Sequence, residues 1–257
     1  MRHWIAVLGL AATAAVIAAV GWHQRAAAQS EPFDARETGA IERIIRDYLI
    51  ANPEVLDEAL QALEAKREQD RLARISAAIE ANRDELLHHE DDVVLGNPEG
   101  DVTLVEFFDY NCGYCERALS DLQTLLDTDP QLRVILKELP ILSPGSLEAA
   151  KVSIAVARQG QYWEFHSELL GGRGQADARR ALAIAESLDL DMDRLRADMD
   201  GPETARILEE THALALELGV EGTPAYVIGE ELVPGAIGVE GLRRSVAEAR
   251  ASACATC

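Results

Sequence analysis

Apolar residues are spaced in three ways along this chain, and each spacing predicts a different element. From Trp4 to Val20 the run is almost unbroken. From Glu37 to about Glu90 the chain is short of glycine, and Ile41, Ile44, Ile45, Tyr48 and Leu49 recur at helical spacing. Asn52-Pro53 supplies a cap and a first-turn proline, so two helices are expected to meet there. The second carries Leu56, Leu60 and Leu63, the charged stretch Glu64 to Arg71, then Leu72, Ile75, Ile79 and Leu86. That stripe is narrow and suits a partner helix, the alternative being a helix that lies on the domain following it in its own chain, with Glu64 to Arg71 as a candidate joint.

Near Asp92 the spacing changes to alternation. Val102 to Phe107 reads as a buried strand, Cys112 to Leu126 as an amphipathic helix and Leu132 to Leu136 as a strand parallel to the first. Residues 146 to 218 are helical in pattern, with breaks at Gly160, Gly171, Gly172, Gly174 and Gly201-Pro202. Short strands return at Tyr226 to Ile228 and Glu231 to Val233 around Gly229-Glu230, and a last helix runs from about Val239 to Arg250. The fold class is α/β, organised as 1–28, a helical region 29–90, a domain 91–250 with an all-helical insertion at about 146–218, and a tail 251–257.

Composition narrows the function. A chain of 257 residues that is 48% hydrophobic can bury a core, and a net charge of -21 without a basic run excludes nucleic acid as a partner. The four cysteines, at 112, 115, 254 and 257, form two close pairs, which favours redox or metal chemistry over stapling. Arg2, the apolar run and Ala26-Ala27-Ala28 read as a signal peptide cleaved before Gln29, the alternative being an uncleaved anchor. Either way the body of the protein lies outside the cytoplasm, where disulfide chemistry is at home.

A thiol attacks a disulfide as thiolate, a form that the unpaired amides and dipole of a helix N-terminus stabilise. Cys112 is predicted at such a terminus because Asp109-Tyr110-Asn111 ends the strand and starts the helix. Cys115, one turn on, is placed to resolve a mixed disulfide formed by Cys112. Glu106, in the apolar strand, is a candidate proton acceptor for Cys115 if buried, and a plain surface residue if the strand lies at an edge. Thr223-Pro224 precedes the hairpin. A cis peptide there would turn the Thr223 backbone toward the sulfurs and let it pair with an extended substrate chain.

From about Asp92 to Arg250 the sequence resembles the DsbA-like branch of the thioredoxin superfamily. The likeness rests on Glu106-Phe107-Phe108, Cys112-Gly113-Tyr114-Cys115, Leu139-Pro140-Ile141-Leu142, Tyr162-Trp163-Glu164-Phe165-His166 and Gly222-Thr223-Pro224-Ala225. The segment Tyr48 to Ala65, with Asn52-Pro53-Glu54-Val55-Leu56, is similar to the suppressor of copper sensitivity protein C group. The resemblance implies a thioredoxin fold with an inserted helical subdomain behind an N-terminal oligomerisation stalk. It also implies a periplasmic disulfide isomerase or reductase linked to copper tolerance, acting on misfolded or disulfide-bonded proteins. Gly113, Tyr114, Thr223 and Pro224 would bind substrate, a membrane thiol reductant would recharge the site, and the stalk would hold a homotrimer. No cofactor beyond the Cys112–Cys115 pair is required. A DsbA-type oxidase, and a copper carrier binding Cu(I) through the same sulfurs, are the competing functions.

Three other constellations are read more plainly. His166 is expected to be a packed helix residue, and His88-His89-Glu90-Asp91-Asp92 a solvated junction rather than a metal grip. Cys254 and Cys257, which depart from the family pattern, admit a local disulfide, a secondary redox pair, a Cu(I) site or a zinc site.

Overall fold

The computed structural model describes residues 33–252, so the expected signal peptide and the Cys254–Cys257 pair lie outside the described residues. Within them are ten helices and five strands, none of the helices long and apolar enough to cross a membrane. The chain divides into two compact units, with the boundary between Lys66 and Arg67.

The first unit is helical. Helix α1 (Ala35–Ala51) starts at Asp34, whose side chain accepts from the Arg36 and Glu37 amides while the Glu37 carboxylate accepts from the Asp34 amide at 2.9 Å. This reciprocal cap satisfies donors that the first turn would otherwise leave unpaired. Asn52 closes the helix by donating to the Tyr48 carbonyl from both its backbone and its side chain. Helix α2 (Glu54–Ala81) follows. The helix runs on through the candidate joint Glu64 to Arg71, where the Glu68–Arg71 ion pair at 2.7 Å bridges successive turns, and the boundary between the two units falls within that stretch. Ile44, Ile45, Tyr48, Leu56, Leu60 and Leu63 are exposed.

The second unit is built on a five-stranded sheet of order β1-β3-β2-β4-β5. Its strands are β1 (Val93–Gly96), β2 (Val102–Phe108), β3 (Leu132–Glu138), β4 (Ala225–Ile228) and β5 (Glu231–Pro234). Only β2 and β3 are parallel, joined through helix α4 (Gly113–Thr128). The remaining pairs are antiparallel. Gly229 takes φ +62 to open the two-residue turn between β4 and β5, a conformation that side chains with a Cβ resist.

Alternation along β2 and β3 sends successive residues into two cores. Leu104, Phe108 and Leu136 join a core with α4, helix α10 (Gly238–Ala251) and the insertion. Val105, Phe107 and Ile135 join another that contains Ile79, Leu86, Leu87, Leu214 and Leu218. Those leucines belong to α3 (Arg83–Leu87) and α9 (Pro202–Leu218). Ile79 is 1% exposed, and Ile75 packs beside it, so this end of the stripe covers its own sheet and is not free for a partner copy. Spacing of three and four residues serves an intramolecular face as well as an intermolecular one, which is why the pattern did not separate them.

The insertion between β3 and β4 comprises α5 (Pro144–Ala157), α6 (Tyr162–Gly171), α7 (Ala178–Ser187), α8 (Met192–Met199) and α9. Gly145 sits where an added Cβ would meet the Ala176 carbonyl oxygen at 2.7 Å, so only glycine lets α5 approach that loop so closely.

The expected solvated junction is so only in part: His88 and Glu90 are exposed, whereas Asp91 and Asp92 are tied to the domain. Asp92 and Lys137 pair at 2.6 Å with side chains 6% and 4% exposed, and Lys137 also donates to the Glu85 carbonyl. Arg206 binds Asp91 and Glu210, and His89 lies between Glu85 and Glu210. A polar run reads as solvated when its partners, here Lys137 and Arg206, are far away in sequence.

Candidate functional site

Helix α4 cannot begin before Cys112, because the preceding turn is committed elsewhere. The Asp109 carboxylate accepts the Asn111 amide at 2.7 Å and the Leu142 amide at 2.9 Å, and the Cys112 amide donates to the Asp109 carbonyl at 3.0 Å. Cys112 is therefore the N-cap, in extended conformation, with the first free amides of the helix ahead of it. Its Sγ donates to the Thr223 carbonyl oxygen at 3.1 Å, and the Thr223–Pro224 peptide is cis. Two segments more than a hundred residues apart in sequence thus meet at one sulfur.

Cys112 and Cys115 are free thiols that share a hydrogen bond. Cys115 is fully buried. Burial pushes its thiol far above the usual range; its bond to the Asp109 backbone pulls it part of the way back, and Glu106 and Cys112 push it up again. Glu106 lies on β2, between β3 and β4, and is 4% exposed, so the edge-strand alternative is excluded. Burial raises its carboxyl to about 8. A buried acid and a buried thiol side by side, each costly to ionise, can pass a proton between them at little expense in charge.

Gly113 is the first residue of α4, and Tyr114 is 60% exposed with the Arg117 guanidinium 4.3 Å from its ring centroid. A groove of ≈ 960 Å³ runs beside the sulfurs, with Tyr114, Thr223, Pro224, Arg71 and Arg74 among its walls. Cys112, Cys115, Glu106, Thr223 and Pro224 are thus gathered in one place, with Gly113 and Tyr114 on its rim.

Asn111 was anticipated only as a turn residue, yet it fastens this site to the insertion. Its amide nitrogen donates to Ser143, Ser146 and the Ala176 carbonyl, and its oxygen accepts the Ala176 amide at 2.8 Å. No local signal points to such a bond, since its partners lie 32 to 65 residues away. Glu138 lies two residues past the strand expected at Leu132 to Leu136, and only the longer β3 (Leu132–Glu138) makes it a carboxyl in an apolar strand like Glu106. His166 is packed as expected, stacked on Tyr162 and Trp163, and burial lowers its pKa to about 3. Among the described residues Glu85, His89 and Glu210 bring three ligand-type atoms within 4.8 Å, but Arg206 already supplies a positive charge, donating to Glu210 at 2.6 Å.

Comparison with known proteins adds an independent line. The DSBA-like thioredoxin domain family matches residues 103–247, and the copper resistance protein ScsC N-terminal domain matches residues 37–69. A thioredoxin-like oxidoreductase from Silicibacter pomeroyi DSS-3 is 45% identical, covering 66% of this chain and 98% of that one with a TM-score of 0.64. A linker-deletion mutant of Proteus mirabilis ScsC is 25% identical over 87% of this chain and 100% of its own, TM-score 0.65. The thiol-disulfide exchange protein alpha-DsbA2 from Wolbachia pipientis is 28% identical over 70% and 97%, TM-score 0.65. Among curated sequences, the Na(+)/H(+) antiporter NhaA 3 of Salinispora tropica is 34% identical over 165 residues, 63% of this chain. The chain spans about a quarter of the length of the curated relatives it matches.

Proposed function

This chain belongs to the DSBA-like thioredoxin domain family, and on that premise we propose that it is a periplasmic thiol-disulfide oxidoreductase acting on protein substrates. The observation that carries the reading is the contact at the start of α4, where Cys112 Sγ meets the Thr223 carbonyl at 3.1 Å. The Cys112 thiolate attacks one sulfur of a client disulfide, forming a mixed disulfide and expelling the other client sulfur as thiolate. Cys115 then gives its proton to ionised Glu106 and attacks the Cys112 sulfur, which releases the second client thiol and leaves a Cys112–Cys115 disulfide. Resolution therefore accelerates as Glu106 ionises, around pH 8. An extended client segment pairs with the Thr223 backbone beside Pro224 and lies in the groove past Tyr114.

The preferred direction is isomerisation or reduction, with a membrane thiol reductant restoring the two thiols. The exposed row Ile44, Ile45, Leu56, Leu60 and Leu63 supports a homotrimer, since association would bury it. A role in copper tolerance follows from the match of residues 37–69, and Cu(I) binding by the two sulfurs is the competing function. Insulin reduction and refolding of scrambled ribonuclease, measured beside Cu(I) binding, separate the two. We expect Cys112→Ser to lower disulfide exchange at least about a thousandfold. Wild-type activity equal to that variant, with retained Cu(I) binding, would leave the carrier. Solution mass of the chain from Gln29 beside one from Arg67 tests assembly: a monomeric longer chain removes the trimer.

A further inference from the structure

The proposed reaction uses Glu106 and leaves a second buried carboxyl on the same face of the sheet without a task. Glu138 ends β3, paired in register with Phe108 of β2, and is 6% exposed. It belongs to a connected set of hydroxyls. Tyr162 Oη donates to Glu138 Oε1 at 3.4 Å, Ser153 hydrogen-bonds to Glu138, and Ser153 Oγ and Tyr110 Oη lie 2.7 Å apart. Tyr110 Oη also lies 3.1 Å from His166 Nδ1. The set begins at a cavity of ≈ 390 Å³ lined by Glu138 and Tyr162 and ends at Tyr110, two residues before Cys112.

Charge connects the same parts. From the loop after β2, Glu138 faces Asp109 and Tyr110. From α6 it faces Tyr162, while His166 of the same helix meets Tyr110. Arg158, beyond the end of α5, and Glu90, Asp91, Asp92 and Lys137 line the cavity. Arg158 is paired with Asp198 at 3.7 Å, and Lys137 with Asp92 on the opposite face of the sheet. The Asp109 carboxylate already holds the amides of Asn111 and Leu142. Two buried anions so close repel, and the repulsion falls on the clamp that sets the start of α4.

We propose that Glu138 is a positioning residue: its protonated carboxyl and the Ser153 and Tyr110 hydroxyls hold the Asp109–Tyr110–Asn111 turn, and loss of that proton slows attack by Cys112. Burial, opposed by the hydrogen bonds to Ser153, Tyr162 and Tyr110 and helped by Asp109, raises the Glu138 carboxyl to about 8, so the change falls just above neutrality. Arg158 and Lys137 do not cancel it, each being already committed to a carboxylate. The inference rests on Cys112 being the attacking sulfur.

The test is the rate at which Cys112 of the reduced protein reacts with iodoacetamide across pH, in wild type and in the Glu138→Gln and Glu106→Gln variants. The amide can still donate to Ser153 and accept from Tyr162, but it cannot ionise. We expect the ratio of Glu138→Gln to wild type to rise to about threefold between pH 6.5 and 9, equivalent to half a pKa unit at the sulfur. A ratio that is constant over pH shows a purely structural side chain and overturns the proposal. So does a rise that appears only in Glu106→Gln. Infrared spectra supply a second check: a protonated-carboxyl band should persist near neutrality in Glu106→Gln and disappear when Glu138→Gln is added, and its absence in Glu106→Gln overturns the proposal. A Cys112 that fails to alkylate in every variant would instead remove the oxidoreductase reading itself, and this inference with it.

Discussion

The two faces of the central sheet solve the same problem, a charged residue in an apolar strand, in opposite ways. On the face turned to α4, Glu106 and Glu138 form no ion pair among the described residues, and burial raises both carboxyls to about 8. On the other face Lys137, next to Glu138 in β3, meets Asp92 at 2.6 Å. Burial raises Asp92 too, but Lys137 opposes it through both its charge and its hydrogen bond. One face therefore stores protons that can move, and the other fixes a charge pair that locks the segment before β1 onto the sheet. Beside that pair the second face carries an apolar core of Val105, Phe107, Ile135, Ile79 and Leu86. Chemistry and anchorage are divided between odd and even positions of the same strands.

Breaking the fixed pair should have the largest effect. Lys137→Met leaves Asp92 buried without its cation and should cost about 3–5 kcal/mol in urea unfolding, most of it recovered when Asp92→Leu is added. A loss below about 1 kcal/mol would show that the pair does not anchor this face. Next comes its apolar cover: Ile79→Ala should cost about 2–4 kcal/mol, whereas Leu60→Ala, 58% exposed in the first unit, should leave the unfolding of the second within about 0.5 kcal/mol. Equal effects would return Ile79 to the association stripe. The smallest change sharpens the proton-storing face. Because the folded carboxyl of Glu106 titrates near 8 and the unfolded one near 4.5, the unfolded chain releases its proton first, so stability falls as pH rises through that window and levels off above it. Glu106→Gln should remove its share of this fall, leaving that of Glu138, and gain about 2 kcal/mol in the alkaline range, shrinking to nothing below pH 4.5. A gain that is the same at all pH values would mean that the Glu106 carboxyl titrates alike in the folded and unfolded chain.

Periodicity and turn chemistry made much of this legible. The parallel strand–helix–strand unit, the all-helical insertion and the Gly229-Glu230 hairpin follow from spacing and glycine placement, because those signals are local. Cys112 at the head of a helix followed from the polar turn before it. Legibility ended where a residue's meaning depended on a distant partner. Ile79 has the same spacing whether it meets a second copy or its own sheet. Asp92 looks solvated until Lys137 is brought to it, and Asn111 looks like a turn former until Ser143, Ser146 and Ala176 close around its amide. Glu138 differs in kind: it follows Lys137 at the polar end of its strand, where a carboxyl looks exposed until the insertion folds over it.

The last strand has a consequence for a protein that would spend its working life beside unfolded chains. Strand β5 is a sheet edge of only four residues, with Glu231 exposed at its start and Pro234, which has no amide proton, exposed at its end. An extended client arriving near Thr223 meets an open ladder of backbone groups a strand away, the arrangement on which fibrils grow. Pro234 removes a donor from that ladder, and Glu231 places a charge where a neighbouring chain would have to bury it. Under the proposed function, a client could dock at the groove without being templated into a sixth strand, and the edge would keep the protein from coaggregating with it.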